Sequence, residues 1–119
     1  MKISDYIRSA VYREIKRFHD ADEVSGLCAK LKPVLSELKK EISTQPETDG
    51  LSFVERAIEV CTIWIPKNLS RNNTQTIVAD SLQCQKNLKQ IPYYHKQSQQ
   101  IAKLAKQAAM LFGKISRAV

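Results

Sequence analysis

PYYHKQSQQIAKLAKQAAMLFGKISRAV, running from Pro92 to Val119, decides the fold. Within it Tyr94, Ser98, Ile101, Ala105, Ala108, Phe112, Ile115 and Val119 alternate in steps of four and three, with Leu104 and Leu111 alongside. A helix of 3.6 residues per turn gathers such positions on one face, so the stretch predicts a long amphipathic helix. The apolar face is rich in Ala, which suits packing against other helices, and the pattern continues past the weak spot at Gly113. Lys96, Lys103, Lys106, Lys114 and Arg117 fall on the opposite side, within an arc of about 80°, and form a predicted ladder of cations about 30 Å long.

Helical periodicity extends upstream through nearly every segment. Pro92 is placed to end a preceding helix of about residues 74–91 and to open the last one, since proline suits a first helical turn and not an interior. That preceding helix carries Ile77, Cys84, Leu88 and Ile91 on one face, with Val78 and Leu82 beside them. Before it lies a polar connection, Pro66 to Asn73, whose asparagines suit a helix cap. Ser52 and Glu55 have the spacing of a capping box, opening a helix through Val54, Ile58, Cys61 and Ile65 that is expected to stop at Pro66. The run Val60–Ile65 has strand propensity, but no second convincing strand exists to pair with it. Further back, Val24, Cys28, Leu31, Leu35, Leu38 and Ile42 form a heptad seam, with a kink or two short helices expected at Pro33. Ile7, Val11, Ile15 and Phe18 predict a first helix over about 5–19, capped by Ser4, with Arg13, Lys16 and Arg17 on its basic face. The expected architecture is an all-α bundle of about five helices in one domain, residues 1–119.

Composition narrows the function. The chain has 119 residues and 43% hydrophobic content, enough for one packed core and too much for a disordered chain. Its three glycines form no phosphate-binding loop. Cys28, Cys61 and Cys84 lack the spacing of a zinc site or a disulfide framework, and they read as small buried hydrophobes in a reducing compartment. Trp64 reads as a core anchor. Met1–Tyr6 lacks the apolar core of a signal peptide, and no apolar run approaches the roughly 20 residues of a membrane span, so a cytoplasmic protein is expected. Only His19 and His95 are present, in no metal-binding arrangement. Arg13 and His19 have a spacing that resembles the R-x5-H motif of helical HEPN ribonucleases, although in that family the motif usually lies late in the fold and here it lies in the first helix. The expectation is a non-enzymatic protein with no cofactor and no metal.

The net charge of +7 is distributed unevenly. Basic and acidic residues balance through Asp80, the last acid in the chain; beyond it stand Lys86, Lys89, Lys96, Lys103, Lys106, Lys114 and Arg117. A solvated helix face usually interleaves Glu with Lys, because opposite charges one turn apart stabilise and like charges destabilise. A face of one sign therefore points to an anionic partner, and a phosphodiester backbone is the commonest with extended, regular charge. Those seven cations, with Arg13, Lys16 and Arg17, are the candidate nucleic-acid-binding residues. Gln and Asn side chains such as Gln83, Gln97 and Asn73 add uncharged donors, and Tyr93, Tyr94 and His95 could stack on bases, with Tyr93 the better exposed and Tyr94 on the core phase.

The whole-chain helical pattern, with the ladder Lys96, Lys103, Lys106, Lys114 and Arg117 and no catalytic constellation, resembles the small subunit of class 1 CRISPR effector complexes, the Cascade-type assemblies of antiviral defence. The resemblance is one of shape and charge and carries no sequence motif. It implies several copies stacked along a ribonucleoprotein with larger subunits, supporting the guide RNA and target heteroduplex and holding the displaced DNA strand by its backbone. Two other readings of the chain are a phage or plasmid regulator, with a poor helix-turn-helix match over Val24–Ile42, and a helical adaptor that binds a protein through that same seam.

Overall fold

The computed structural model describes the backbone of residues 3–119 and the side chains of residues 21–119. Five α-helices follow one another: α1 (Ile3–Ser43), α2 (Leu51–Glu59), α3 (Ile65–Ser70), α4 (Thr74–Tyr94) and α5 (Gln99–Ala118), with a π-helical turn, Val60–Trp64, joining α2 to α3. Because α2, the π turn and α3 run on without a break, these elements make four rods, and the described residues contain no strand. The all-α expectation is met with a different partition. What reads as two helices before residue 43 is one, and the helix expected to end at Pro66 extends to Ser70.

Short connections make consecutive rods antiparallel neighbours. α5 packs against α4 on one side and α1 on the other, while α2 closes the ring between α1 and α4. At 1.5 Å per residue the 41 residues of α1 extend about 61 Å, close to the 66 Å long axis of the molecule, whereas the other rods are about 30 Å long. Among the residues whose side chains are described, the contribution of α1 to the core comes from its C-terminal half. The seam Val24, Cys28, Leu31, Leu35, Leu38 and Ile42 is buried there against Val54, Ala57, Ile77, Leu88, Ile91 and the apolar face of α5. This placement removes two of the expected roles of the seam. No turn interrupts it to make a helix-turn-helix, and its side chains are already covered by the chain's own core, leaving no apolar face to bind an adaptor's partner.

Three prolines were expected to bend or end helices, and each is accommodated for a local reason. Pro33 is exposed, and the carbonyl it leaves unbonded four residues earlier belongs to exposed Ala29, where solvent can satisfy it. Pro66 lies in the first turn of α3, separated from the π turn by Ile65 alone, and the wider backbone of that turn relieves the crowding that an α-helical Thr62 carbonyl would give the ring. Pro92 sits in the last turn of α4, two residues before the helix ends at Tyr94, and does not open α5. Helix α5 instead starts at Gln99 behind Ser98, whose Oγ accepts a hydrogen bond from the Ile101 amide at 3.2 Å.

Other ends also differ from expectation. Gly50, in the left-handed region at φ 88°, is the N-cap of α2, so the Ser52–Glu55 capping box does not form. Asn73 does occupy the N-cap of α4, but its side chain turns to Asn68 Oδ1 instead of the helix. The expected Ser4 cap lies among residues whose side chains are outside the described ones. Trp64 packs half-buried against the core, its indole N–H donating to Glu59 Oε1 at 2.8 Å and Lys67 lying 5.4 Å from its ring centroid. The five-residue separation of Glu59 and Trp64 is one a π turn brings into line.

The cysteines are free and buried, one each from α1, the π turn and α4. Burial pushes the Cys28 thiol up to about 12, with Cys61 adding to the rise and Lys32 opposing it. Burial likewise raises Cys61 to about 11 and Cys84 to about 12. Among the described residues no helix is long and apolar enough to cross a membrane, and no group of three His, Cys, Asp or Glu is placed to hold a metal ion.

Candidate nucleic-acid interface

Helix α5 owes its position to its small residues. Ala105, Ala108, Ala109 and Gly113 are buried between larger Ile101, Phe112 and Ile115, letting neighbouring helices lie against it on two sides. A β-carbon on Gly113 would meet Gln85 Nε2 at 2.5 Å, so Gln85 of α4 stands opposite Gly113 of α5. With its inner face filled, the outer face of α5 presents Lys103, Lys106, Lys114 and Arg117, all exposed. Lys96 is exposed too, but it lies in the 95–98 connection and not on the helix. The ladder expected to run about 30 Å is thus four helical cations over about 21 Å, with Lys96 beyond its N-terminal end.

That row has a gap of two turns between Lys106 and Lys114, occupied by Met110, which is 50% exposed. The neighbouring helix fills it. The Gln85 side chain of α4 reaches Gly113 of α5, so α4 runs alongside the C-terminal half of α5 and carries Lys86 and Lys89 next to that contact. Both lysines are exposed and share the outer face of α4 with half-exposed Leu82. The structure therefore brings six of the candidate residues onto one surface of two helices, flanking the groove between them. Wheel positions on α4 carried the signal for this second row: Lys86, Lys89 and Tyr93 are separated by three and four residues, the spacing of one helix face. Arg13, Lys16 and Arg17 lie outside the residues whose side chains are described, as does His19.

Among the described residues the single ion pair is Arg56–Glu59 at 3.4 Å, on α2, so no carboxylate of those residues pairs with any of the seven C-terminal cations. Six of the seven stand exposed on the helices α4 and α5 and Lys96 on the connection between them, so this part of the surface carries charge of one sign.

The N-terminal end of this surface meets a corner built by the two loops at that end of the bundle. His95 is only 7% exposed, and its Nε2 donates to the Asp49 carbonyl at 2.7 Å, tying the α4–α5 corner to the α1–α2 loop. The ring expected to stack on bases is thereby committed to structure. Tyr94, expected to pack in the core, is 44% exposed because the helix ends there and the chain turns away from the apolar phase. Tyr93 is 73% exposed, the most exposed large side chain of the described core and surface apolars. Gln45, Pro46 and Glu47 from one loop, Tyr93 and Tyr94 at the end of α4 and residues 95–98 from the other loop line an open cleft of about 760 Å³.

Compared with the models of known protein families, with curated proteins and with solved structures, the chain matches none. The function is accordingly argued from the site alone.

Proposed function

We propose that this protein is a non-enzymatic, sequence-independent nucleic-acid-binding subunit of a larger ribonucleoprotein, of the kind formed by the small subunit of Cascade-type complexes, where it supports a guide–target heteroduplex or the displaced strand. One observation carries the reading: Lys86, Lys89, Lys103, Lys106, Lys114 and Arg117 share one two-helix surface with no described carboxylate paired to them. The mechanism is electrostatic. Lysines neutralise phosphates and release condensed counterions, and the rigid helices fix the spacing without reading bases.

Binding of the isolated protein to unrelated oligonucleotides tests this directly. Affinity is expected to be alike across sequences and to fall steeply with salt, and Lys103→Glu with Lys106→Glu should weaken every sequence by a similar factor. Salt-independent affinity, or loss confined to one sequence, would overturn the reading. For the assembly itself, the tagged protein is expected to copurify with a guide-length RNA and larger subunits in several copies; recovery of a nuclease-insensitive complex with protein alone would argue against it.

A further inference from the structure

We infer that the surface binds single-stranded nucleic acid, with an unpaired base stacked on Tyr93 at the mouth of the cleft between the two loops; the inference rests on the electrostatic reading and specifies its ligand. Tyr93 follows Lys86 by seven residues and Lys89 by four on α4, so its exposed ring extends the same outer face as the cations. It stands one residue from the end of α4, across the short 95–98 connection from the start of α5, the helix that carries Lys103 and Lys106. A strand held by its phosphates along the groove passes directly over the ring, which offers a π-face to any base.

The cleft beside Tyr93 has the complementary chemistry. It is lined by Gln45, Glu47 and Gln97, which offer amide donors and carbonyl and carboxylate acceptors of the type that pair with base edges. Glu47 repels phosphate, so the cleft is suited to the base and the lysine rows to the backbone; Lys96 stands at the boundary. The hydrogen bond from His95 to the Asp49 carbonyl joins the two loops that form the walls, so the opening is held in place and need not be organised by the ligand. A paired base cannot enter, because its edge and faces are already engaged in the duplex.

The test uses the full chain with a fluorescent twelve-nucleotide thymidine strand and a blunt duplex of the same length. Tyr93→Ala is expected to weaken single-strand binding about tenfold, within the range of one base–aromatic stack, while duplex binding and the salt slope stay unchanged. Tyr93→Phe keeps the ring and should retain wild-type affinity. Equal single-strand affinity for Tyr93→Ala and wild type, or equal losses for strand and duplex, would overturn the inference; if Lys103→Glu with Lys106→Glu still abolished binding, the electrostatic reading would stand without it. Failure of the wild-type protein to bind either probe would overturn both. Because Tyr93 is largely exposed and outside the core, the alanine variant should keep the wild-type melting temperature.

Discussion

The contribution of α4 to the cation surface is the sharpest test of the two-row geometry, because Lys86 and Lys89 belong to a different helix from the ladder on α5. If about five of the seven cations contact phosphates of a single strand, log K should fall with log salt at a slope of about −3.5, from roughly −0.7 per contact. A fourfold rise in salt then lowers affinity about 130-fold. Replacing Lys86 and Lys89 by Gln removes two contacts, reducing the slope to about −2.1 and the same salt-induced loss to about 18-fold. Both side chains are exposed, so folding should be unaffected and circular dichroism should match wild type. Lys39→Gln with Lys40→Gln, also exposed but on α1, serves as the comparison and should leave the slope near −3.5. Anisotropy of a labelled strand titrated at several salt concentrations reads all three slopes. An unchanged slope after Lys86→Gln and Lys89→Gln, or an equal decrease from the α1 pair, would refute the placement of the interface across α4 and α5 and leave only a diffuse positive field.

Four further outcomes follow from the packing. Gly50→Ala should destabilise the fold by about 1–2 kcal/mol, since Gly50 adopts φ 88° and a β-carbon would lie 3.1 Å from Ile91 Cγ1. Gly26→Ala should stabilise it by up to about 1 kcal/mol, because Gly26 is inside α1 and a β-carbon there meets nothing within 4 Å; urea melts of the two variants must move in opposite directions. Ser81 Oγ is buried without a hydrogen-bond partner, so Ser81→Ala should be neutral or stabilising by about 1 kcal/mol, and a loss of stability in the same melts would show that the hydroxyl has a partner. The thiols should resist alkylation at pH 8 until denaturant is added, because burial raises all three well above the ordinary value of 9.0. The sign for stability follows: neutral thiols favour the fold fully below pH 9, and that contribution declines as pH rises from 9 towards 11 and 12, where the unfolded thiols are already ionised. Rapid labelling of the native protein at pH 8 would refute the burial.

How far the sequence was legible depends on which physical signal each element carries. The core positions of α1 and α5 are periodic and mutually consistent, and residues from Val24 to Ile42 and from Ile101 to Ile115 are buried where the steps of three and four place them. Boundaries were harder wherever a proline competed with the apolar phase. The penalty for an interior proline is a lost hydrogen bond and a clash with one carbonyl, and it depends on what that carbonyl faces. Nothing local to Pro33, Pro66 or Pro92 tells whether solvent, a π turn or a nearby helix end will absorb it; that is decided by which side of the bundle each lies on. Tyr94 and Ser98 failed for the reverse reason. They continue a numerical phase across a connection where the backbone is not helical, and Ser98 is used there as a cap.

The candidate site divides in the same way. The one-signed composition after Asp80 is a property of the sequence, and the cations it names are exposed on the structure. Their grouping is a tertiary fact. On α5 alone the row is interrupted for two turns at Met110, and the neighbouring α4, whose Gln85 side chain reaches Gly113, adds exposed Lys86 and Lys89. The small residues of α5 bury its inner face closely and let α4, with its exposed Lys86 and Lys89, lie beside it. This makes Gly113 a test of how the surface is built. Gly113→Ala should leave strand binding near the wild-type value, because the added β-carbon meets only the flexible ends of Gln85 and Arg117, which can move without shifting α4. A marked loss of binding together with altered exchange of the α4 backbone amides would show instead that the small residue at 113 sets the spacing of the two helices.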